Sequence, residues 1–408
     1  MSGPTGHRLP YRWVVLGVGA GATASLSAVQ GGLPALSPAI QEAFGLSLVQ
    51  VTGVFTAFAL GTVFTLLAWG TLSDRIGERF VIAVGLAAGA VALAVVAAAA
   101  DDYSTLLAGV VVAGMLGSSA IAASGRAVFG WFSRDERGLA LGLRQTAVPA
   151  GAATASFALP PLAAAAGLDA ALYALAGAML VAALASAIWL REGPRRQSAA
   201  PPAPDAMRDP RIWRLSAASS LMIIGQIGVT SLLVLYLYGE RGWSASEAAL
   251  ALGAVQIGAA LARAAAGRWS DLRDERIDPF RRLAATAGGL LLAAAALTPA
   301  PAALAVPVLV AGGVAAMSWN GLSFTAAAEI SGRRQAGTAM GIQNTAMRVV
   351  ATGVPVGLGF VASHLSWQLA FAIMGLAPLA ARALLGPLVA DEHRRRRERH
   401  ARVLESRA

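Results

Sequence analysis

Cysteine is absent from all 408 residues, which excludes disulfides, thiolate nucleophiles and cysteine metal centres. Histidine is scarce. His7, His364, His393 and His400 lie at the termini or in a short loop, so no histidine cluster exists to hold a metal or run acid–base chemistry. Charged residues make up only 13 % of the chain, about half the roughly 25 % of soluble domains. Lysine is missing too, so every basic side chain is arginine, as a GC-rich coding bias would produce. Carboxylates are missing from the middle of every long apolar run: Glu329 sits near the end of one, and Asp101, Asp102 and Asp169 lie between runs. No catalytic residues, metal or cofactor are expected, and the protein is read as a non-enzyme.

What the chain has is hydrophobicity: 56 % apolar residues and a mean hydropathy of +0.62. A bilayer core of about 30 Å takes roughly 20 apolar residues as helix, because lipid cannot satisfy open backbone groups. That ruler predicts an all-α membrane protein of twelve transmembrane segments, at 13–38, 48–70, 80–100, 104–131, 138–162, 170–190, 213–238, 245–267, 282–299, 303–329, 337–362 and 367–389. The arginines separate by side. With the N-terminus cytoplasmic, the inner loops hold Arg75 and Arg79, Arg134 and Arg137, Arg191 to Arg211, Arg268 to Arg282, Arg333 and Arg334, and Arg394 to Arg397, whereas the outer loops hold little beyond Arg241. The positive-inside rule then puts both termini in the cytoplasm, at the inner membrane. The net charge of +10 and pI near 11.2 do not point to nucleic acid, since the arginines fall between apolar runs rather than on a polar surface. Arg8 and Arg12 ahead of the first run resemble a signal peptide, but the run is too long for one, so it is read as a retained first helix. The Pro- and Arg-rich stretch 191–211 reads as a cytoplasmic linker between six-helix bundles at 1–190 and 212–390, followed by a basic tail at 391–408.

The two halves repeat one another. "GTLSDRIGERF" at 70 returns as "GRWSDLRDERI" at 267, Gly45-x-Ser47 returns as Gly242-x-Ser244, and "GLALGLRQTA" at 138 returns as "GTAMGIQNTA" at 337, with offsets of 197, 197 and 199. Gln30-x-Gly32 and Gln226-x-Gly228 also correspond. Six segments per half make the repeats parallel, an arrangement that suits a binding site where the halves meet and rocking of one against the other.

Gly70, Asp74, Arg75, Gly77 and Arg79 match a Gly-x-x-x-Asp-Arg-x-Gly-x-Arg motif, and on it, the weaker second copy and the twelve segments, the chain resembles the major facilitator superfamily over essentially its full length. The resemblance implies two six-helix bundles and a gate formed by Gly70, Asp74, Arg75, Gly77 and Arg79 with Gly267, Asp271 and Arg276. Gly70 is expected to let two helices approach closely. Asp74 is expected to face the start of the eleventh segment near Gly337, where an anion gains roughly 0.3 to 2 kcal/mol from the helix dipole. The second copy has Leu272 in place of the first arginine and Asp274 in place of the second glycine, which weakens its expected role. Within the family, the arginines of the eighth and eleventh segments and "LRQTAVPAG" are similar to the oxalate/formate antiporter, monocarboxylate and cyanate-permease-like branches.

Four arginines within segments stand out as candidates, because one at the bilayer centre costs about 2.5 to 3.5 kcal/mol. Arg348 lies about 16 Å into its helix and Arg263 about 12 Å from Asp271; both are expected to bind substrate. Asn344 lies one turn from Arg348, and Gln256 lies on the stripe of Arg263. Arg126 and Arg144 lie only about 9 Å from the inner face. They are read as snorkelling to headgroups, with an inner-cavity position as the alternative. Gln30, Gln226, Trp319 and Asn320 complete the candidate substrate contacts. Cations without carboxylate partners invite an anion, and a guanidinium fork fits a carboxylate. The expected function is secondary active transport of a small organic mono- or dicarboxylate by a monomeric carrier. The rival readings are proton-coupled drug efflux, whose Gly-Pro-x-x-Gly-Gly element is replaced here by Val148-Pro149-Ala150-Gly151-Ala152, and a non-transporting receptor.

Overall fold

The computed structural model describes residues 11–132, 136–193, 204–332 and 335–405. Among them the secondary structure is helix without strand: α1 (Tyr11–Ala35), α2 (Ser37–Phe44), α3 (Leu48–Ile76), α4 (Glu78–Ala99), α5 (Tyr103–Gly117), α6 (Ser119–Trp131), α7 (Arg137–Trp189), α8 (Pro204–Arg208), α9 (Pro210–Gly239), α10 (Ala245–Arg273), α11 (Ile277–Ala296), α12 (Ala302–Ala316), α13 (Asn320–Ser331), α14 (Ala336–His364) and α15 (Trp367–Glu405). Ten helical stretches are long and apolar enough to cross a membrane. Two features reconcile these ten with twelve spans. Gly167, at φ 89° and ψ 165°, breaks the hydrogen-bond ladder inside α7 and makes two helices of it, a conformation open in practice only to glycine. Helix α11 carries Asp278, Arg281 and Arg282 in its first two turns, which lower its hydropathy without shortening it.

Several boundaries differ from the sequence expectation, with α3 and α10 running on to Ile76 and Arg273 rather than stopping at 70 and 267. The seventh span starts at Pro210 rather than 213, because Pro at a first helical position gives up no hydrogen bond. The ninth starts at Ile277 rather than 282. The expected tail at 391–408 is a continuation of α15 as far as Glu405. One interaction accounts for the last two: Glu392 accepts the free backbone N–H groups of Arg276 at 2.6 Å, Ile277 at 3.1 Å and Asp278 at 3.4 Å, capping α11. That contact requires α15 to stay helical beyond 390. Arg134, Arg333 and Arg334 of the expected inner loops lie outside the described residues.

The described chain forms two compact units, one of Met1–Ala199 with Thr230–Ile257 and Pro355–Ser363, the other of Ala200–Val229, Gly258–Val354 and His364–Ala408. In the first, α1 and α4 pack on α7 and α3 packs on α5. The helices touch through backbone: a Cβ added to Gly151 would lie 2.1 Å from the carbonyl of Ala24, and one added to Gly61 would lie 2.2 Å from that of Val111. In lipid there is no hydrophobic drive between helices, so such close backbone approach supplies the van der Waals contact that holds them. In the second unit α11 packs on α12 and α15, again through glycine, with Gly288 against Gly375.

The repeat in sequence is a repeat in local geometry. Gly45 (φ 60°) and Gly242 (φ 66°) both turn the chain in the left-handed region. Two residues later Ser47 and Ser244 each open the next helix with a reciprocal cap, Ser47 with Gln50 and Ser244 with Glu247. Gly-x-Ser is thus a helix stop followed by a helix start.

Candidate functional site

The opening motif sits at the end of α3. Asp74 forms an ion pair with Arg126 of α6, whose guanidinium also donates to Ser73 Oγ and, at 2.7 Å, to the carbonyl of Gly70. Arg126 therefore does not snorkel to headgroups; it is the motif's own counter-charge. A Cβ on Gly70 would meet no described atom within 4 Å, and Gly70 contributes its carbonyl to Arg126. Arg75 is exposed. Gly77 takes φ 92° between α3 and α4, with the Glu192 carboxylate against its Cα. Arg79 donates from Nε to the carbonyl of Ala187 at 2.8 Å.

The second copy does the same with the charges rearranged. Arg276 donates at 2.7 Å to both Asp271 and Ser270 and at 3.1 Å to Glu329 of α13. In the first unit the fourth span supplies the cation; in the second it supplies the anion, and Arg276 bridges. Gly267, like Gly70, would bring an added Cβ within 4 Å of no described atom. Asp274, in the place of Gly77, adopts φ 50°, which Asp tolerates better than most side chains. Here the backbone turn survives the loss of glycine.

A second pair of equivalent clusters lies within the spans. In the first unit Arg144 of α7 donates to Ser124 of α6 at 2.9 Å and to Thr23 of α1 at 3.2 Å. Thr23 gives its own proton to the carbonyl of Gly19 at 2.9 Å, leaving its lone pairs for Arg144 and for Ser124 at 3.3 Å. In the second unit Gln343 of α14 donates to Ser219 of α9 at 2.9 Å and to Ser323 of α13 at 2.5 Å. Ser219 gives its proton to the carbonyl of Leu215 at 2.8 Å and meets Ser323 at 2.6 Å. The two circuits share the same four bonds, except that one clamps a cation and the other an amide, and Arg144 adds a bond to Gln145 Oε1 at 3.3 Å. Arg144 is thus held by neutral oxygens and does not reach for headgroups either. Its Nε, and the Gln343 Oε1, are buried without a hydrogen bond among the described residues.

The remaining candidates divide. Arg263 of α10 donates from Nε to the carbonyl of Met317 at 2.6 Å. That carbonyl is freed by the break between α12 and α13, just as the break between α5 and α6 frees the carbonyl of Met115 for Thr65 and Trp69. Arg263 therefore supports the helix break with one N–H. Its two terminal nitrogens have no hydrogen bond or ion pair among the described residues. Arg348 of α14 has no side-chain hydrogen bond or ion pair among them at all, and Asn344 is exposed one turn before it. Asn320 opens α13 with its buried Oδ1 lacking a hydrogen bond, as does the Ser119 hydroxyl at the matching break in the first unit. Gln256 is buried, Gln30 exposed and Gln226 partly buried. Trp319 is 0 % exposed, stacked on Phe280 at 5.3 Å, with its indole N–H on the carbonyl of Ala316. It packs the second unit and presents no surface to a solute.

Sequence reasoning missed Ser124, Thr23, Ser219, Ser323, Gln343, Glu192 and Glu392. The repeat contained the signal for several of them: Arg144 and Gln343, like Ser124 and Ser323, are 199 positions apart, and Glu192 and Glu392 are 200 apart. Among the described residues no group of His, Cys, Asp and Glu is placed to hold a metal.

Twelve apolar spans, duplicated by halves, with unneutralised arginines inside them, define a multi-pass membrane carrier. The profile of the Major Facilitator Superfamily matches residues 18–355. Two uncharacterised MFS-type transporters of Mycobacterium tuberculosis are each 35 % identical over 384 residues, covering 93 % of this chain and 85 % of theirs. Crystal structures of a bacterial homologue of the human lysosomal transporter Spinster, inward-facing and either unoccupied or occupied, superpose with TM-scores of 0.71 and 0.72. Their identities are 18 % and 17 %; the matches cover 96 % and 97 % of this chain and 97 % and 98 % of theirs. The chain belongs to the Major Facilitator Superfamily and is a membrane transporter with its all-α fold of twelve helices.

Proposed function

We propose that this transporter moves a small organic anion, a mono- or dicarboxylate, across the cytoplasmic membrane by alternating access, either with protons or in exchange for a second anion. The observation that carries the reading is Arg348, whose guanidinium lies well inside a span with no described protein acceptor. An arginine there costs several kcal/mol unless something pairs with it, and a substrate carboxylate supplies both the charge and the two acceptors that the fork presents. Arg263 adds two further donors. Asn344, Asn320, Gln256, Gln226 and Gln30 are the neutral contacts of the proposal, and Arg144 is a further cation held ready by its hydroxyls. The Asp74–Arg126 and Asp271–Arg276–Glu329 groups are the gating charges of the proposal. The arginine asymmetry of the loops supports cytoplasmic termini, and the carrier is taken to act as a monomer.

The test is counterflow in proteoliposomes with a panel of labelled carboxylates. Arg348→Gln is expected to lower flux of the accepted substrate about tenfold or more, the loss of a charge-assisted hydrogen bond, while the purified protein melts as wild type does. Arg263→Gln is expected to lower flux as well, with some loss of stability because the Met317 carbonyl is released. Normal carboxylate flux in both variants would sink the assignment.

A further inference from the structure

A groove of about 490 Å³ opens on the first unit where α3 ends, α4 begins and α7 ends, lined by Ile76, Arg79, Phe80, Ala83, Ala187, Arg191 and Glu192. Its floor is apolar and its rim carries two guanidiniums against one carboxylate. Below the rim the surface is greasy and uncovered: Phe80, Val84, Val91 and Val95 form an exposed stripe on α4, and Val181, Leu184 and Ile188 form another on α7. Spaced at three, four and seven residues, each stripe is one helix face turned to lipid. The rim lies at headgroup level, since Arg79 is the second residue of its span and Arg191 follows the end of α7 by two. Aromatic rings gather there as they do at membrane interfaces: the Tyr11 hydroxyl donates to the carbonyl of Trp189 at 2.6 Å, and the Trp131 indole donates to the backbone of Arg191 at 2.9 Å.

Both arginines have donors to spare. Arg79 uses only Nε, on Ala187, and Arg191 stacks its guanidinium 4.3 Å from the Tyr11 ring; neither forms an ion pair among the described residues. The second half of the chain is the internal control. It keeps the acid, Glu392 for Glu192, and the position of Arg79, as Arg276. But Arg276 is already paired with Asp271 and Glu329, and the residue corresponding to Arg191 is Asp391, paired with Arg394. Among the described residues, the first unit has two available cations over an apolar slot where its counterpart has none.

We propose that this groove binds one anionic phospholipid of the adjoining leaflet, its phosphate between Arg79 and Arg191 and an acyl chain along the Phe80 and Ile188 stripes. The probe is phosphatidylglycerol against phosphatidylcholine, with the lipid retained by the full-length purified protein counted by native mass spectrometry. At about fivefold per basic residue near an anionic surface, wild type is expected to enrich phosphatidylglycerol about twenty-fivefold and Arg191→Gln about fivefold. Arg79→Gln/Arg191→Gln is expected to show no enrichment. Arg191→Gln leaves the Arg79–Ala187 and Trp131 bonds in place, so it reports even if the double variant does not fold. Arg191→Asp, which installs the second half's residue, is expected to lose enrichment at least as far as Arg191→Gln. Three results would overturn the proposal: no preference in wild type, a preference that persists undiminished in Arg191→Gln but is lost in Arg394→Gln/Arg397→Gln, or displacement of the lipid by equimolar glycerol 3-phosphate.

Discussion

Arg144 and Gln343 occupy the same place in two copies of one hydrogen-bond circuit, and that equivalence makes a sharp experiment. Arg144→Gln is expected to fold as wild type does, because Gln343 shows that an amide satisfies two such hydroxyls; any change in anion flux then reports the charge. Arg144→Leu leaves Thr23 and Ser124 without their donor and is expected to cost about 1 to 2 kcal/mol, read as a lower melting temperature in detergent. At this scale the sequence was partly legible. The arginines were visible as charges in apolar runs, but Arg126 and Arg144 were assigned to headgroups because distance along one helix says nothing about the next helix over. Asp74 and Ser124 sit on neighbours that only packing brings within reach.

Among the elements, the turn after the motif tests how strictly backbone geometry demands glycine. Gly77 at φ 92° abuts the Glu192 carboxylate, so Gly77→Ala meets both a strained dihedral and an occupied space. A loss of about 1 to 3 kcal/mol is expected. Asp274 pays the left-handed penalty already at φ 50°, and Asp274→Gly is expected to gain up to about 1 kcal/mol. Melting temperatures of the two purified variants should move in opposite directions; a fall in both would show that Asp274 is held by its own contacts rather than tolerated. All twelve spans were legible from length and apolarity. The break in α7 was legible because "AAGLD" interrupts an apolar run with its one flexible residue. The helical continuation of α15 was not, since a stretch dominated by arginine carries no apolar period and is held in place by Glu392 reaching α11.

For the whole molecule, the gating role proposed for the two motif loops predicts an effect on rate. Asp74→Asn removes the counter-charge of Arg126 while leaving its bonds to Ser73 and Gly70. It is expected to slow exchange several-fold with substrate affinity unchanged; altered affinity at an unchanged rate would show that Asp74 acts on binding instead. Apolar length, arginine asymmetry and half-length repetition were enough to specify a twelve-span carrier, because a membrane allows the backbone so few solutions that hydropathy and periodicity nearly exhaust them. Which arginines are already engaged was decided only by packing: Arg126 has an acid, Arg144 two hydroxyls, Arg263 a carbonyl, and Arg348 no described partner. A charge's partner is set by distances of a few ångströms between helices far apart in the chain, and no pattern along one helix contains that distance.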